Sequence, residues 1–337
     1  MRDKDARLTR RVFAGAGLGL LGWPLLGPAL AQTAAQTAAQ TETQTDAQDK
    51  DDAASLAARV DTANHLKVEA RINGEGPFSF VVDTGAERSV IADNVAATLG
   101  LPAGPMVTVD GISSRIQAPS VRVERLEFGP FTRRRLNLPV LSRANLLADG
   151  YLGLDAIDDA QVTFDFAHRL VRIDDSSQYA VMRGDARVRA EGRRGHLRIG
   201  DSRVDSVAAT AFIDTGAEVS VGNPALYAAL KSRNPALVEL GALMLSGVTG
   251  GQLPGVVIPV KRILVQDILF SDGTLVIADP PDFTTWKLDN HPALLIGLDY
   301  LRQFASVTID YRNQEMRFNL ADITPRPTPT VSIEQMG

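Results

Sequence analysis

The chain has 337 residues, of which 45% are hydrophobic and 22% are charged, with a formal net charge of −5 and no cysteine. This length can bury one large core or two modest ones, and the composition is typical of a globular protein. Disulfides and thiolate metal sites are excluded, and the negative charge argues against a general nucleic-acid-binding protein.

The N-terminus has the pattern of an export signal. Residues 9–15 read Thr-Arg-Arg-Val-Phe-Ala-Gly, and an apolar stretch runs from Ala14 to about Ala31, where small residues mark a cleavage site. The Gly and Pro residues of this stretch argue against the alternative, a membrane-spanning anchor. We therefore expect residues 1–31 to be a twin-arginine signal peptide and the mature protein to be periplasmic, with no stable membrane insertion. Five basic and two acidic residues would be removed, so the net charge would fall to −8.

Low-complexity segments flank the rest of the chain. Residues 32–59 consist largely of Gln, Thr, Ala and Asp, and residues 323–337 are rich in Pro and Thr. Such segments bury too little apolar surface to offset the entropy of ordering them. The first is predicted to be a disordered tether and the second a flexible tail.

The sequence between these segments repeats itself. The octapeptide at 83–90, Asp-Thr-Gly-Ala-Glu-Arg-Ser-Val, returns at 214–221 with Val219 in place of Arg88, a displacement of 131 residues. Further pairs follow in the same order: 111–114 with 247–250, 152–155 with 296–299, 163–165 with 308–310, and Arg172 with Arg317. A duplicated unit explains this order. We predict two lobes, at 60–175 and 185–322.

Each copy has the pattern of a small β-rich unit. Alternating and apolar runs predict a pair of strands before each Asp-Thr-Gly, at 65–72 and 78–82 and again at 195–199 and 208–213, with a turn at 73–77. Short helices are predicted at 92–99 and 224–230, the second with Asn223 as its N-cap and Pro at its first position. The fold class is therefore mostly β, with two similar lobes related by a pseudo-two-fold axis and one short helix or two per lobe.

Asp-Thr-Gly after an apolar strand is suited to presenting a carboxylate. Gly permits a sharp turn and close approach of a neighbour, and the Thr hydroxyl can bond across a two-fold axis. If two such loops meet, their carboxylates share a site too small for two negative charges, so one stays protonated. That pair can activate a water and protonate a substrate carbonyl. An Asx-turn would explain a lone copy, but two copies favour a paired site at Asp83 and Asp214.

At these residues the sequence resembles the retropepsin-like (retroviral-type) aspartyl protease family, in particular exported bacterial members with two Asp-Thr-Gly lobes on one chain. Tyr151-Leu-Gly153 and Leu295-Ile-Gly297 resemble its second signature, which packs beneath the catalytic loop. The resemblance covers about 66–320. It implies retropepsin-like acid-protease lobes, aspartic endopeptidase activity without a cofactor, and a monomer that acts as an intramolecular dimer.

The resemblance also assigns roles to residues. It implies catalytic Asp83 and Asp214, dyad support from Thr84, Thr215, Gly85 and Gly216, and substrate binding by Ala86, Glu87, Ala217, Glu218, Gly111, Ile112, Gly247 and Val248, the last four in two flaps. Glu87 and Glu218 depart from the viral motif, which usually has Asp there. Ala86 and Ala217 stand where pepsin-like enzymes have Ser, which predicts a less acidic pH optimum than pepsin's.

Other patterns carry less information. The four histidines, His65, His168, His196 and His291, lack metal-ligand spacing, so no metal site is expected. An arginine run at 183–198 is interpreted as a solvated connector or hairpin face, with an anionic partner such as a glycan or nucleic acid as the alternative. The favoured function is an endopeptidase that cuts a periplasmic or membrane-anchored polypeptide, with no nucleic-acid partner. The alternative is a peptide-binding module of the same fold with weak catalysis.

Overall fold

The structure, a computed structural model, describes residues 55–57, 59–60, 65–174, 186–193 and 196–320. The predicted signal peptide, most of the tether, the connection between the predicted lobes and the tail lie outside these residues. Within the described ranges, no helix is both long enough and apolar enough to span a bilayer.

The N-terminal half, through residue 174, is built mainly of strands. They are β1 (Ser55–Ala57), β2 (Arg59–Val60), β3 (Leu66–Ile72), β4 (Glu75–Val82), β5 (Val90–Ala92), β6 (Val107–Asp110), β7 (Arg115–Ala118), β8 (Ser120–Phe128), β9 (Phe131–Leu141), β10 (Gly150–Leu152), β11 (Gln161–Asp165) and β12 (Leu170–Asp174). The helices of this half are α1 (Asp93–Thr98), α2 (Arg143–Leu146) and α3 (Leu154–Ile157).

The C-terminal half, residues 186–320, has a similar composition of elements. Its strands are β13 (Ala186–Arg189), β14 (Glu191–Arg193), β15 (His196–Val204), β16 (Val207–Ile213), β17 (Val221–Gly222), β18 (Gly241–Ser246), β19 (Gln252–Val265), β20 (Ile268–Ile277), β21 (Ala293–Ile296), β22 (Ser306–Asp310) and β23 (Glu315–Asn319). Its helices are α4 (Pro224–Arg233), α5 (Pro281–Thr285) and α6 (Leu298–Leu301). The prediction of a mostly β fold is confirmed.

Each half contains one large sheet, and the two sheets have the same strand order. The first runs β2-β3-β4-β10-β5-β9-β8, and the second runs β14-β15-β16-β21-β17-β20-β19, with β18 added at the end. Further pairing of β3 with β8, and of β15 with β19, closes each sheet into a small barrel. In both sheets the strand that leads into Asp-Thr-Gly pairs in parallel with the strand of the second signature.

A third sheet joins the two halves. Its order is β1-β12-β11-β22-β23-β13, so strands from both ends of the chain share one hydrogen-bonded ladder. At its centre β11 pairs antiparallel with β22, and Thr163 lies opposite Thr308 with the two Oγ1 atoms 2.9 Å apart. Because backbone bonds of this ladder cross between the halves, the halves are held in a fixed relation at this sheet.

Apolar and polar residues alternate along the strands, which places the apolar side chains in the interior of the protein. In β3 the residues Val68, Ala70 and Ile72 are buried, whereas Glu69 and Arg71 point outward. The main core cluster includes buried residues from both halves. A smaller cluster, which includes Phe212 and Phe283, lies in the C-terminal half.

Several local predictions differ from the structure. The described residues contain three short helices in each half, one more than the upper prediction, because α2, α3, α5 and α6 are single turns with no helical periodicity to detect. The predicted turn at 73–77 is only Asn73 and Gly74, both at positive φ, since β4 begins at Glu75. The strands β1 and β2 lie where the end of the disordered tether was predicted. The capping prediction for α4 is confirmed: Asn223 accepts a hydrogen bond from the Leu226 nitrogen, and Pro224 opens the helix.

Candidate active site

The two Asp-Thr-Gly loops meet at the floor of a cleft of about 660 Å³. Asp83 and Asp214 both line this cleft, and their carboxyl groups are within hydrogen-bonding reach of each other. Backbone N–H groups hold each carboxylate in place: Gly85 donates to Asp83 Oδ1 at 2.8 Å, and Gly216 donates to Asp214 Oδ1 at 2.9 Å. The structure therefore brings together two acids that are 131 residues apart in sequence.

The glycines of the two loops leave the space that the opposite carboxylate occupies. A Cβ atom added at Gly85 would lie 2.6 Å from Asp214 Cγ, and one added at Gly216 would lie 2.5 Å from Asp83 Cγ. Neither glycine has a positive φ, so close approach rather than backbone conformation requires glycine at both positions.

The surroundings of the two carboxyl groups raise the pKa of both. Burial, and then the charge of Asp214, raises the pKa of Asp83 well above its ordinary value. Burial also raises the pKa of Asp214, but hydrogen bonds from the Gly216 nitrogen and from Asp83 act in the opposite direction. Since two carboxylates in contact do not both ionise, the pair holds a single proton between them.

The threonines of the two loops interlock beneath the acids. Thr84 Oγ1 donates to the Ile213 carbonyl oxygen at 3.0 Å and accepts from the Thr215 nitrogen at 3.0 Å. Thr215 Oγ1 donates to the Val82 carbonyl oxygen at 2.9 Å and accepts from the Thr84 nitrogen at 3.2 Å. Both side chains are buried. Each loop is thus fixed by the strand end and the loop of the other half.

The second signature supports each loop in the same way. The Asp83 nitrogen donates to the Leu152 carbonyl oxygen at 2.9 Å, and the Asp214 nitrogen donates to that of Ile296 at 3.0 Å. A Cβ atom at Gly153 would lie 2.5 Å from the Arg88 carbonyl carbon, so this glycine lets the strand end pack under the loop. Gly297 has equivalent close contacts with Ala217 and Val219.

A serine–aspartate bridge in each half was missed by the sequence analysis. Ser89 donates through both its nitrogen and its Oγ to Asp155 Oδ1, each at 2.7 Å, and its Oγ accepts from the Gly153 nitrogen at 3.0 Å. In the other half Ser220 bonds both oxygens of Asp299, its nitrogen donating to Oδ2 and its Oγ to Oδ1, and its Oγ accepts from the Gly297 nitrogen. Both pairs are present in the repeated segments, so the repetition itself was the signal that could have indicated them.

Two hairpins cover the cleft at the positions where flaps were predicted. The tip between β6 and β7 is Gly111–Ser114, and the tip between β18 and β19 contains residues 247–251. The tips touch: Ser113 Oγ donates to the Gly250 carbonyl oxygen at 2.7 Å, and Ser114 Oγ lies 3.0 Å from Thr249 Oγ1. The hairpins therefore meet each other above the two acids.

All the residues predicted to bind substrate lie along this cleft. They are Ala86, Glu87, Ala217, Glu218, Gly111, Ile112, Gly247 and Val248. Arg88 and Val219, the one difference between the repeated octapeptides, also line it. Two lining residues that the sequence analysis did not select, Asp282 and Trp286, come from α5 and the residue after it. Their segment had no recognised counterpart in the repeat, so no pattern pointed to them.

Histidines occur at equivalent places in the two halves, 131 residues apart. His65 and His196 are both buried and both line the cleft. His65 Nε2 lies 3.0 Å from the Gly216 carbonyl oxygen, and His196 Nε2 lies 3.6 Å from Glu87 Oε1. Burial lowers the pKa of His196, although the Glu87 charge acts against this. Among the described residues, no group of three or more His, Cys, Asp or Glu side chains has the geometry to hold a metal ion.

Comparison with known proteins supports the chemistry of the N-terminal half. Residues 68–156 match the model of a family described as aspartyl protease. The matched segment contains Asp83, the first flap and the second signature as far as α3, which indicates aspartic protease activity and hence a hydrolase. No curated protein matches the chain.

Proposed function

We propose that the protein is an aspartic endopeptidase in which one chain supplies both catalytic acids, Asp83 and Asp214. The observation that carries the proposal is the contact of these two buried carboxyls at the floor of a covered cleft. The similarity of residues 68–156 to aspartyl proteases supports it, as does the same strand order around both acids.

The reaction uses the different protonation of the two acids. Asp214, ionised, takes a proton from a water molecule, whose oxygen adds to the carbonyl carbon of the scissile peptide bond. Asp83 gives its proton to the carbonyl oxygen, forming a neutral tetrahedral intermediate. As the C–N bond breaks, Asp214 gives its proton to the leaving nitrogen, and Asp83 takes a proton from one hydroxyl of the intermediate, which becomes the carboxylic acid product. The pair then again holds one proton, on Asp83. No covalent bond forms between the enzyme and the substrate.

The substrate is an extended polypeptide that lies between the floor and the flaps. The cleft runs across both halves, and the flap hairpins offer backbone groups to a peptide bound as an added strand. The export signal expected at residues 1–31 places this substrate in the periplasm or on a membrane-anchored protein facing it.

Incubation with a peptide library from pH 4 to 7 tests the proposal. The purified full-length chain should cleave a subset of the peptides, and Asp83→Asn and Asp214→Asn should each abolish cleavage. Asp279→Asn, which changes an exposed acid away from the cleft, is the matched control and should cleave like wild type. Cleavage that survives either dyad substitution would contradict the mechanism. Peptide binding without cleavage by wild type would instead favour the binding module.

A further inference from the structure

One end of the cleft is acidic and aromatic, and we name this part the Trp286 wall. It consists of Glu87, His196, Asp282, Thr285 and Trp286, all of which line the cleft. The helix α5 supplies Asp282 and Thr285 just before the second-signature strand β21. The helix α2 has the same place before β10 in the N-terminal half, but there the chain offers Asn145, Leu146 and Leu147. The two ends of the cleft are therefore chemically different.

The aromatic part of the wall is held firmly. The Trp286 ring stacks on Phe212 with centroids 4.7 Å apart and packs edge-on against Phe283 at 6.2 Å. The His196 ring lies 5.0 Å from the Trp286 ring. Trp286 is only partly buried, so it presents apolar surface to the cleft. Such a surface fits the aliphatic stem of a lysine or the flat guanidinium group of an arginine.

Among the described residues, the negative charge of the wall is only partly balanced, by Arg115. Arg115 forms an ion pair with Asp110, and its guanidinium also donates to Thr285 Oγ1 at 2.9 Å. Asp282 makes no such pair among the described residues. Burial, followed by the charges of Asp214, Asp110 and Glu87, raises the pKa of Asp282 to about 7 even though Arg115 acts against the shift. Of the described lysines and arginines, only Arg88 lines the cleft.

A buried nitrogen in the wall also lacks a partner. His196 is 7% exposed, and its Nε2 atom has no hydrogen bond to any described residue. The distance of 3.6 Å between His196 Nε2 and Glu87 Oε1 is short enough for an ion pair but too long for a hydrogen bond. Because burial lowers the pKa of His196, the imidazole is neutral and one ring nitrogen can accept. In the tautomer that carries its proton on Nδ1, Nε2 accepts, and together with Glu87 it presents two acceptors that a single N–H donor could satisfy.

The opposite end of the cleft carries apolar side chains. Leu146 and Leu147 of the α2 segment line it, and Leu147 is exposed by 47%. Exposed apolar side chains grouped in a groove favour apolar ligand groups. The cleft is thus polarised from an apolar end to an end rich in acceptors.

We propose that the Trp286 wall is a subsite for a lysine or arginine side chain of the substrate, with Asp282 as the residue that determines this specificity. Asp282, Glu87 and His196 receive the N–H donors, and Trp286 covers the stem. The substrates are polypeptides with a cationic residue on one side of the scissile bond and apolar residues on the other. This inference rests on the proposed function, because the subsite belongs to the same cleft.

Binding to a chain that cannot cleave tests the subsite independently of catalysis. The full-length Asp83→Asn chain is titrated at pH 8, where Asp282, with its pKa of about 7, is ionised. The ligands are an extended apolar peptide and a series in which one norleucine is replaced by lysine at successive positions. We expect lysine at one position to lower Kd about tenfold, the effect of one charge-assisted contact. Adding Asp282→Asn should remove this gain. Adding Asp279→Asn should preserve the gain.

Each outcome separates the two proposals. If no position shows the gain, or if it survives both Asp282→Asn and Glu87→Gln, the subsite is wrong whether or not the wild-type chain cleaves peptides. If the gain is present and Asp282 is required for it, but wild type cleaves neither peptide type, then the subsite stands and the endopeptidase proposal falls. Should Asp282→Asn alter the circular dichroism spectrum, the more exposed Glu87→Gln decides, and its failure to weaken the gain would overturn the subsite.

Discussion

Thr84 and Thr215 form reciprocal hydrogen bonds across the two halves: Thr84 Oγ1 accepts from the Thr215 nitrogen at 3.0 Å, and Thr215 Oγ1 accepts from the Thr84 nitrogen at 3.2 Å. Each hydroxyl also donates to a carbonyl oxygen at the end of the opposite strand. This arrangement links the position of one Asp-Thr-Gly loop to that of the other. The geometry of the acids therefore depends on bonds that neither half could make alone.

Thr84→Val should destabilise the protein although the shape of the side chain is kept. The change removes the donor to the Ile213 carbonyl and the acceptor of the Thr215 N–H, and leaves both backbone groups buried without these bonds. We expect a loss of about 2–4 kcal/mol in the free energy of unfolding, since each orphaned buried group costs about 1–3 kcal/mol. Urea unfolding measures this loss. Thr84→Ser keeps the hydroxyl and should lose far less; equal losses for the two variants would refute the role of the hydroxyl.

The flap contacts predict a change in substrate affinity rather than in stability. Ser113 and Ser114 reach from the first flap to Thr249 and Gly250 of the second. Replacing both serines with Ala removes these contacts and should raise KM by roughly five- to tenfold if together they contribute about 1–1.4 kcal/mol to substrate binding, the value of one net hydrogen bond. Thermal unfolding should change little, because the tips are partly exposed.

Ser232→Ala is the control for the flap variants, since this serine lies exposed on α4 and away from the cleft. Steady-state kinetics on one cleaved peptide should give wild-type values for the control. An unchanged KM in the double flap variant would show that the contact between the tips does not contribute to substrate binding.

The duplication explains how much of the site the sequence could predict. Because Asp83 and Asp214 stand in repeated segments, one inference about two-fold pairing placed both acids, both threonines and both flaps. The Ser89–Asp155 bridge lay within the repeat too, but nothing in the sequence says that a serine and an aspartate 66 residues apart will bond. Asp282 and Trp286 fall where the two copies diverge, so only packing against Phe212 and His196 shows that they face the cleft. The single-turn helices were not predicted for a different reason: four or five residues are too few to show the helical period of apolar residues.

The raised pKa values of several carboxyl groups predict that the free energy of unfolding falls as pH rises from about 4 to 7. Burial, with the charges of Asp214, Asp110 and Glu87, raises the pKa of Asp282 from 3.8 to about 7, whereas nearby Arg115 lowers it. A raised carboxyl pKa means that the folded state holds the proton more tightly than the unfolded state. The contribution is therefore complete below about pH 4 and lost as pH rises through about 7. Burial also raises the pKa of Asp155 and of Asp299, so these two groups contribute to the same pH dependence.

Asp282→Asn should remove much of this pH dependence. The neutral amide cannot ionise, so the variant should gain stability over wild type at pH 7.5, by a few kcal/mol at most, and show a smaller difference at pH 4.5. Urea unfolding at the two pH values gives both differences, with Asp279→Asn as the exposed control. A variant whose pH profile parallels that of wild type would show that Asp282 titrates normally.

The close approach of the two loops predicts that a single methyl group can inactivate the protein. In Gly216→Ala the new Cβ would lie 2.5 Å from Asp83 Cγ, so the carboxyl must move away from its partner. A displacement of about 1 Å at reacting groups can cost about 100-fold in rate, and we expect kcat to fall by at least that factor. Gly200→Ala is the matched control, because a Cβ there meets no atom within 4 Å and its φ is not positive. Single-turnover cleavage of one peptide compares the two variants, with circular dichroism to verify folding. Near-normal turnover by a folded Gly216→Ala chain would mean that the reaction does not use this pair of acids.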